Sequence, residues 1–245
     1  MLQEIARDDL HAALDELVEQ LLESAGIRRP PVDALSLAAA CGLRIARDNA
    51  QVGRARHVRL ARSVGRDRAG TILLKAELRP ERRQWAIAHE VGEACCQRLF
   101  DRLRLDASWD APGSREAFAN QLANRLLLPS DWFAHDARDL DWDLPRLKVR
   151  YRTASHELIA RRMLDFDVPI VISIFDQAQL TFRKQNCGEA APALLALERD
   201  LQRAAHQQNR PQQATAGRLS VQAWPIHEPC WQREILRTTI AELYE

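Results

Sequence analysis

The sequence predicts an α+β fold in which a small antiparallel sheet packs against a helical core, followed by a C-terminal α+β extension. Long segments that repeat apolar residues every three or four positions predict amphipathic helices. Three short runs within residues 42–76 carry β-branched or alternating apolar residues and predict the sheet. A hairpin pattern over residues 168–185 begins the extension. The predicted domains are therefore residues 1–166 and residues 167–245.

The N-terminal part predicts two helices and then the sheet. Residues 4–25 carry leucines at helical spacing, and Gly26 is placed to end that helix. A shorter helix is expected from about Val32 to near Gly42, after two prolines. Short strands are predicted at residues 42–48, 56–64 and 70–76.

The middle of the chain predicts two long helices and two short ones. The first long helix begins at Pro80 and continues to about Phe100, and the second runs from Arg115 to Leu128. Residues 145–164 predict the two short helices. The extension is then expected to contain a hairpin (168–185), a helix (191–206), a mobile Gln-rich loop (207–217), a strand (219–226) and a short helix (231–243).

The composition limits the classes of function that need to be considered. The chain has 245 residues, and its 35 basic and 34 acidic residues leave a net charge of +1, so no overall field attracts nucleic acid or a membrane. Its apolar runs are far shorter than the ~20 residues of a membrane helix, and it begins without the pattern of a signal peptide. Five cysteines, an odd number, fit a reducing compartment. We therefore expect a cytoplasmic protein that does not contact membranes and does not bind nucleic acid directly.

The most specific motif is His89-Glu90-Val91-Gly92-Glu93 within the first long helix. Residues four apart share a helical face, so His89 and Glu93 are able to reach one metal ion, while Glu90 is rotated by about 100°. This is the arrangement of a zinc-peptidase helix, in which the carboxylate after the first ligand activates metal-bound water. The alternative is a solvated face whose carboxylates pair with arginines. The candidates for that pairing are Arg82, Arg83 and Arg98.

A third metal ligand is available on the next long helix. Glu116 and Asn120 share one face of it, and the small residues Ala119 and Ala123 would allow close packing against the first helix. Asn120 could orient a ligand by hydrogen bonding, or it could bond only to backbone between the helices.

Several strings of this sequence resemble the ImmA/IrrE zinc metallopeptidases, a family that cleaves helix-turn-helix repressors. The strings are PPVDALSLAAACGLRI, GTILLKAELRPERRQWAIAHEVGE, EAFANQLANRLLLP and YRTASHELIARRML. The similarity spans residues 15–165 and implies a zincin-like helical core in the first domain. It also implies that His89 and Glu116 are metal ligands and that Glu90 is the general base. The implied partner is a helix-turn-helix repressor or a similar regulatory protein.

The sequence departs from the family at Glu93, where the usual HExxH motif has its second histidine. Carboxylates bind zinc, so a His89, Glu93 and Glu116 ligand set is chemically admissible. Two carboxylates would acidify a bound water less and would make the site more hospitable to Mn²⁺ or Fe²⁺. The expected cofactor is therefore Zn²⁺, with Mn²⁺ and Fe²⁺ as alternatives.

Three functions compete at this point. The favoured one is a metal-dependent endopeptidase that uses water activated by Glu90. The first alternative is a catalytically inactive regulatory binding protein on the same scaffold. The second is a DNA-binding helix-turn-helix within residues 145–164, which the near-neutral overall charge disfavours. The basic residues of that segment are Arg146, Lys148, Arg150, Arg152, Arg161 and Arg162.

Overall fold

The structure is a computed structural model that describes residues 5–48, 55–58, 70–76, 79–106, 109–188 and 190–240. The chain divides into two compact units. One comprises Met1–Asp139 and Val149–Ser155, and the other comprises Leu140–Lys148 and His156–Glu245.

The first unit combines helices with a small sheet, as an α+β fold requires. Its elements are α1 (Arg7–Ser24), α2 (Ala34–Ala40), β1 (Arg44–Arg47), β2 (Ala55–Val58), β3 (Thr71–Leu74), α3 (Pro80–Leu103), α4 (Pro112–Leu127) and α5 (Ser130–Asp139). The predicted helices are confirmed, and α5 is an addition that the sequence reasoning did not include. A further helix, α6 (Leu144–Arg150), has residues in both units.

Helix α1 buries the face that its leucine spacing predicts. Leu10, Leu14, Leu17 and Leu21 are each at most 5% exposed, because four- and three-residue steps keep them on one side of the helix. Gly26 follows with a φ of +67°, a left-handed conformation that glycine adopts without steric cost. The helix therefore ends where the sequence predicts.

The small sheet has a different topology from the one expected. Its strand order is β1-β3-β2, in which β2 pairs with β3 antiparallel and β1 pairs with β3 parallel. The prediction of a purely antiparallel sheet is therefore wrong for β1. Side-chain alternation reports which face of a strand is buried, but it does not report which neighbour forms the hydrogen bonds.

The second unit is built around a five-stranded antiparallel sheet with the order β5-β4-β8-β7-β6. Its elements are α7 (His156–Arg162), a short 3₁₀ helix (Met163–Asp165), β4 (Ile170–Asp176), β5 (Gln179–Gln185), α8 (Ala196–Gln208), β6 (Gln212–Ala216), β7 (Leu219–Pro225) and β8 (Arg233–Ile240). The predicted hairpin is confirmed, because Asp176 pairs with Gln179 and the two residues between them have positive φ. Phe175, Ala205, Val221, Ala223 and Leu236 form the core of the unit.

Two predictions in the C-terminal extension are wrong. The Gln-rich segment expected as a mobile loop contains β6. Of the short helix expected over residues 231–243, the structure describes residues 231–240, and β8 occupies most of that range. Strand β8 lies between β4 and β7, and its residues from Glu234 to Thr238 are all buried. A short run with β-branched residues fits either a helix or a strand, and here the two neighbouring strands decide the outcome.

Among the described residues, no helix combines the length and the apolar character that crossing a membrane requires.

Candidate active site

The candidate site lies where α3 and α4 pack closely together. A Cβ atom placed on Gly92 would lie 2.9 Å from the carbonyl oxygen of Ala119. Glycine at position 92 therefore allows the backbones of α3 and α4 to approach more closely than a residue with a side chain would. Ala119 and Ala123 are completely buried. The close packing predicted from the small residues of α4 is therefore present, and it brings the polar faces of the two helices together.

His89, Glu116 and Asn120 form a hydrogen-bonded cluster across this contact. The Nδ1 atom of His89 lies 3.1 Å from Oδ1 of Asn120, and Nδ2 of Asn120 donates to Oε1 of Glu116 at 3.1 Å. The Nε2 atom of His89 is 3.4 Å from Oε2 of Glu116. Because the Asn120 oxygen accepts from Nδ1, a neutral His89 would direct the lone pair of Nε2 at the carboxylate. A cation bound between Nε2 and the carboxylate relieves that repulsion.

Trp85 adds support that sequence reasoning did not foresee. Its ring stacks on His89 with centroids 5.3 Å apart. Its Nε1 atom donates to Oδ1 of Asn124 at 3.3 Å. Trp85 lies one helical turn before His89, and this spacing is the signal that could have revealed the contact.

Glu93 is held by an arginine. Its Oε1 atom accepts a hydrogen bond from Nε of Arg115 at 2.7 Å, and the same guanidinium donates to the backbone carbonyl of Glu93 at 2.8 Å. Arg115 also donates to Asp110 at 2.6 Å. Burial lowers the pKa of Arg115, but the hydrogen bonds with Glu93 and Asp110 outweigh burial and raise it above its ordinary value. The partner is thus an arginine beside Glu116 and none of the three arginines that the sequence suggested.

The structure therefore brings two of the three predicted ligands together. Among the described residues, His89, Glu93 and Glu116 do not place three ligand atoms within 4.8 Å of one another. Glu90 follows His89 and is 8% exposed, so its carboxylate lies within the unit and away from bulk solvent.

Two of the residues present, His89 and Glu116, are placed so that both could bind one divalent cation. Tetrahedral zinc with bonds of about 2.0–2.1 Å separates its ligand atoms by roughly 3.3 Å, close to the 3.4 Å between His89 and Glu116. Asn120 bonds to both of these side chains and fixes their orientation, as residues outside the first coordination shell commonly do. Glu93 joins the set only if its carboxylate leaves Arg115.

Together, a small sheet, a helix with the motif His89-Glu90-Val91-Gly92-Glu93 and a second helix with Glu116 define a metallopeptidase-like domain. The chain belongs to the M78 peptidase family, because the model of the IrrE N-terminal-like domain matches residues 38–164. The resemblance stated from the sequence is thereby confirmed.

The comparison with solved structures extends the likeness beyond this domain. A Mycobacterium tuberculosis transcriptional regulator matches with a TM-score of 0.64 and 17% identity, over 93% of this chain and 75% of that chain. At this identity the likeness is one of fold. A search of curated protein sequences gives no match.

Proposed function

We propose that this protein is a metal-dependent endopeptidase that cleaves a regulatory protein, with a helix-turn-helix transcriptional repressor as the expected substrate. The observation that carries the proposal is the cluster in which Asn120 bonds to both His89 and Glu116 on two closely packed helices. Such a cluster in an M78 domain is the arrangement that a metal site needs. The proposed domains remain residues 1–166 for the peptidase and 167–245 for the extension.

Each residue has a defined role in this proposal. His89 and Glu116 would hold the cation, and Glu93 would be the third ligand. Zn²⁺, or Mn²⁺ or Fe²⁺, would polarise the scissile carbonyl and lower the pKa of a water molecule. Glu90 would accept the proton of the attacking water and pass it to the leaving amine. Asn120 would keep the imidazole and the carboxylate in place.

A regulatory protein as substrate is supported by the family and by the name of the structural relative, a transcriptional regulator. A cytoplasmic location agrees with the five cysteines, none of which forms a disulfide bond. Direct DNA binding through residues 145–164 gains little support, because carboxylates neutralise part of the basic stretch. Arg150 pairs with Asp136, Arg161 with Glu157 and Arg162 with Asp165.

One observation favours the second candidate, an inactive regulatory binding protein on the same scaffold. The salt bridge between Arg115 and Glu93 removes one carboxylate from the predicted ligand set. A protein that keeps the fold but does not catalyse peptide cleavage would then act by binding a regulator.

Metal analysis and a cleavage assay separate the two candidates. The His89→Ala, Glu116→Ala double variant should bind one equivalent of Zn²⁺ fewer than the wild type, and His135→Ala, which changes an exposed histidine, is the control. Glu90→Gln should keep that metal and lose cleavage of any helix-turn-helix repressor that the wild type cuts. Loss of one Zn²⁺ equivalent in the double variant, together with no cleavage by the wild type, would support the inactive regulator. An amount of bound Zn²⁺ that is the same in the wild type and the double variant would refute the site.

A further inference from the structure

We infer that the second unit holds its own divalent-metal site, formed by His206, His227 and Glu234. Among the described residues, these three form the one group of histidine, cysteine and acidic side chains whose ligand atoms all lie within 4.8 Å of one another. The site does not depend on the proposed peptidase function, because it shares no residue with the α3–α4 cluster.

Three separate elements of the unit supply the ligands. His206 lies in the last turn of α8, His227 follows β7, and Glu234 is the second residue of β8. The Nδ1 atom of His206 is 2.9 Å from Oε1 of Glu234, and Nε2 of His227 is 2.7 Å from the same oxygen. The rings of the two histidines meet edge to face, with centroids 5.6 Å apart. Two imidazoles thus converge on one carboxylate oxygen.

The charge of Glu234 calls for a nearby cation. Its side chain is completely buried, and the described contacts of its carboxylate are with His206, His227 and Gln202. Burying an ionised carboxylate is costly, and hydrogen bonds together with a nearby positive charge offset that cost. A divalent ion bound by the two imidazoles would supply that charge.

The donor set indicates which metal the site would take. Two histidines and one glutamate are a ligand set of zinc sites that keep a fourth position open. The present nitrogen–oxygen distances of 2.7 and 2.9 Å would need to widen by only about 0.5 Å to match tetrahedral zinc. The side chain of His206 is 26% exposed, and this gives a path for the ion from solvent.

Gln202 has the role of a supporting residue. Its Nε2 atom donates to Oε2 of Glu234 at 2.9 Å, so one carboxylate oxygen is occupied and the other faces the histidines. Gln202 lies one turn before His206 on α8, so the same helix positions the ligand and its support. Metal ligands commonly depend on such outer partners.

The test uses the full chain with the first site removed. In a His89→Ala, Glu116→Ala background, calorimetric titration with Zn²⁺ should show that the protein binds one equivalent of the ion. Adding His206→Ala or His227→Ala should weaken that binding by more than the ~10–100-fold that loss of an outer partner costs, and Gln202→Ala should fall within that range. His135→Ala in the same background is the matched control. Circular dichroism checks that each variant is folded.

The outcomes are distinct. Co²⁺ should give the intense visible absorption of a four-coordinate ion in the background variant, and this absorption should disappear in the His227→Ala variant. Glu234→Gln keeps the shape of the buried side chain and should also lose the ion. Absence of Zn²⁺ binding in the background variant, or binding unchanged by both histidine substitutions, would overturn the inference. If the proposed peptidase site is wrong, the wild type and the His89→Ala, Glu116→Ala variant would instead bind the same amount of Zn²⁺.

Discussion

The guanidinium of Arg115 holds Glu93 by both its side chain and its backbone. Nε donates to Oε1 at 2.7 Å and a terminal nitrogen donates to the carbonyl oxygen at 2.8 Å. Arg115 immediately precedes Glu116 on α4, and Glu93 lies one turn after His89 on α3. Glu93, the proposed third ligand, is therefore bound to the residue next to Glu116, another proposed ligand.

Replacing Arg115 with Gln should increase the affinity of the first site for Zn²⁺. The substitution frees the Glu93 carboxylate and removes a positive charge from beside the cation, and both changes favour a divalent ion. Calorimetric titration in a His227→Ala background isolates this site. Arg102→Ala, which breaks an exposed pair between α3 and Glu16 of α1, is the control. An affinity unchanged by Arg115→Gln would mean that the salt bridge does not compete with the metal.

Replacing Glu93 with His restores the usual second imidazole of the family motif. We expect the variant to bind Zn²⁺ at least as tightly as the wild type, because an imidazole at this position no longer pairs with Arg115 and is a strong zinc ligand. Glu93→Ala should bind more weakly if Glu93 is a ligand. The same titration compares the three proteins, and equal affinity of the Ala variant and the wild type would remove Glu93 from the ligand set.

Adding a methyl group at Gly92 should destabilise the first unit. The new Cβ would lie 2.9 Å from the Ala119 carbonyl oxygen, a backbone atom, so α3 and α4 must separate, at a cost of about 1–3 kcal/mol. Gly113→Ala is the matched control, because it also lies in a helix and has no atom within 4 Å of the added group. That variant should be neutral or up to about 1 kcal/mol more stable. Urea unfolding measures both, and equal stability of the two variants would contradict the close approach.

Replacing Glu198 with Ala should strongly destabilise the second unit. Its buried carboxylate accepts two hydrogen bonds of 3.0 Å from Arg183 and one of 2.6 Å from Thr238. Removing it leaves a buried guanidinium without its partner, which typically costs 3–5 kcal/mol, an order-of-magnitude figure. The exposed pair of Asp200 and Arg203 is the comparison, and Asp200→Ala should change the free energy of unfolding by less than about 0.5 kcal/mol. A similar small change for Glu198→Ala would show that Arg183 finds other partners.

The stability of the second unit should fall at acid pH partly because of Asp176. Burial raises the pKa of Asp176, but hydrogen bonds from Arg233 and Thr181 outweigh burial and lower it below the ordinary value of 3.8. A carboxyl group whose pKa is lower in the folded than in the unfolded state stabilises the fold when the pH is above the unfolded-state pKa. This stabilisation is lost as the pH falls through the lowered pKa of the folded state. Asp176→Asn should therefore reduce the loss of stability below about pH 4, measured by urea unfolding across pH. Asp200→Asn is the control, and a wild-type acid slope in Asp176→Asn would contradict this account.

The sequence by itself determined the long helices, the hairpin and the candidate residues of the first site. Leucines at helical spacing place α1, and residues that repeat every four positions place His89 and Glu93 on one face of α3, because such relations are local and depend only on helix geometry. The family resemblance followed from strings of the same local kind. These features need no knowledge of what lies next to them.

Tertiary structure alone decided the relations between distant segments. The pairing of β1 with β3, the conversion of the last segment into β8 and the salt bridge of Arg115 to Glu93 each depend on which neighbour a residue meets in space. The proximity of His206, His227 and Glu234 also depends on tertiary structure, because His206 and Glu234 are 28 positions apart in the sequence and no spacing rule connects them. Hydrogen bonds and ion pairs between elements form only after packing has brought the elements together, and periodicity does not describe that step.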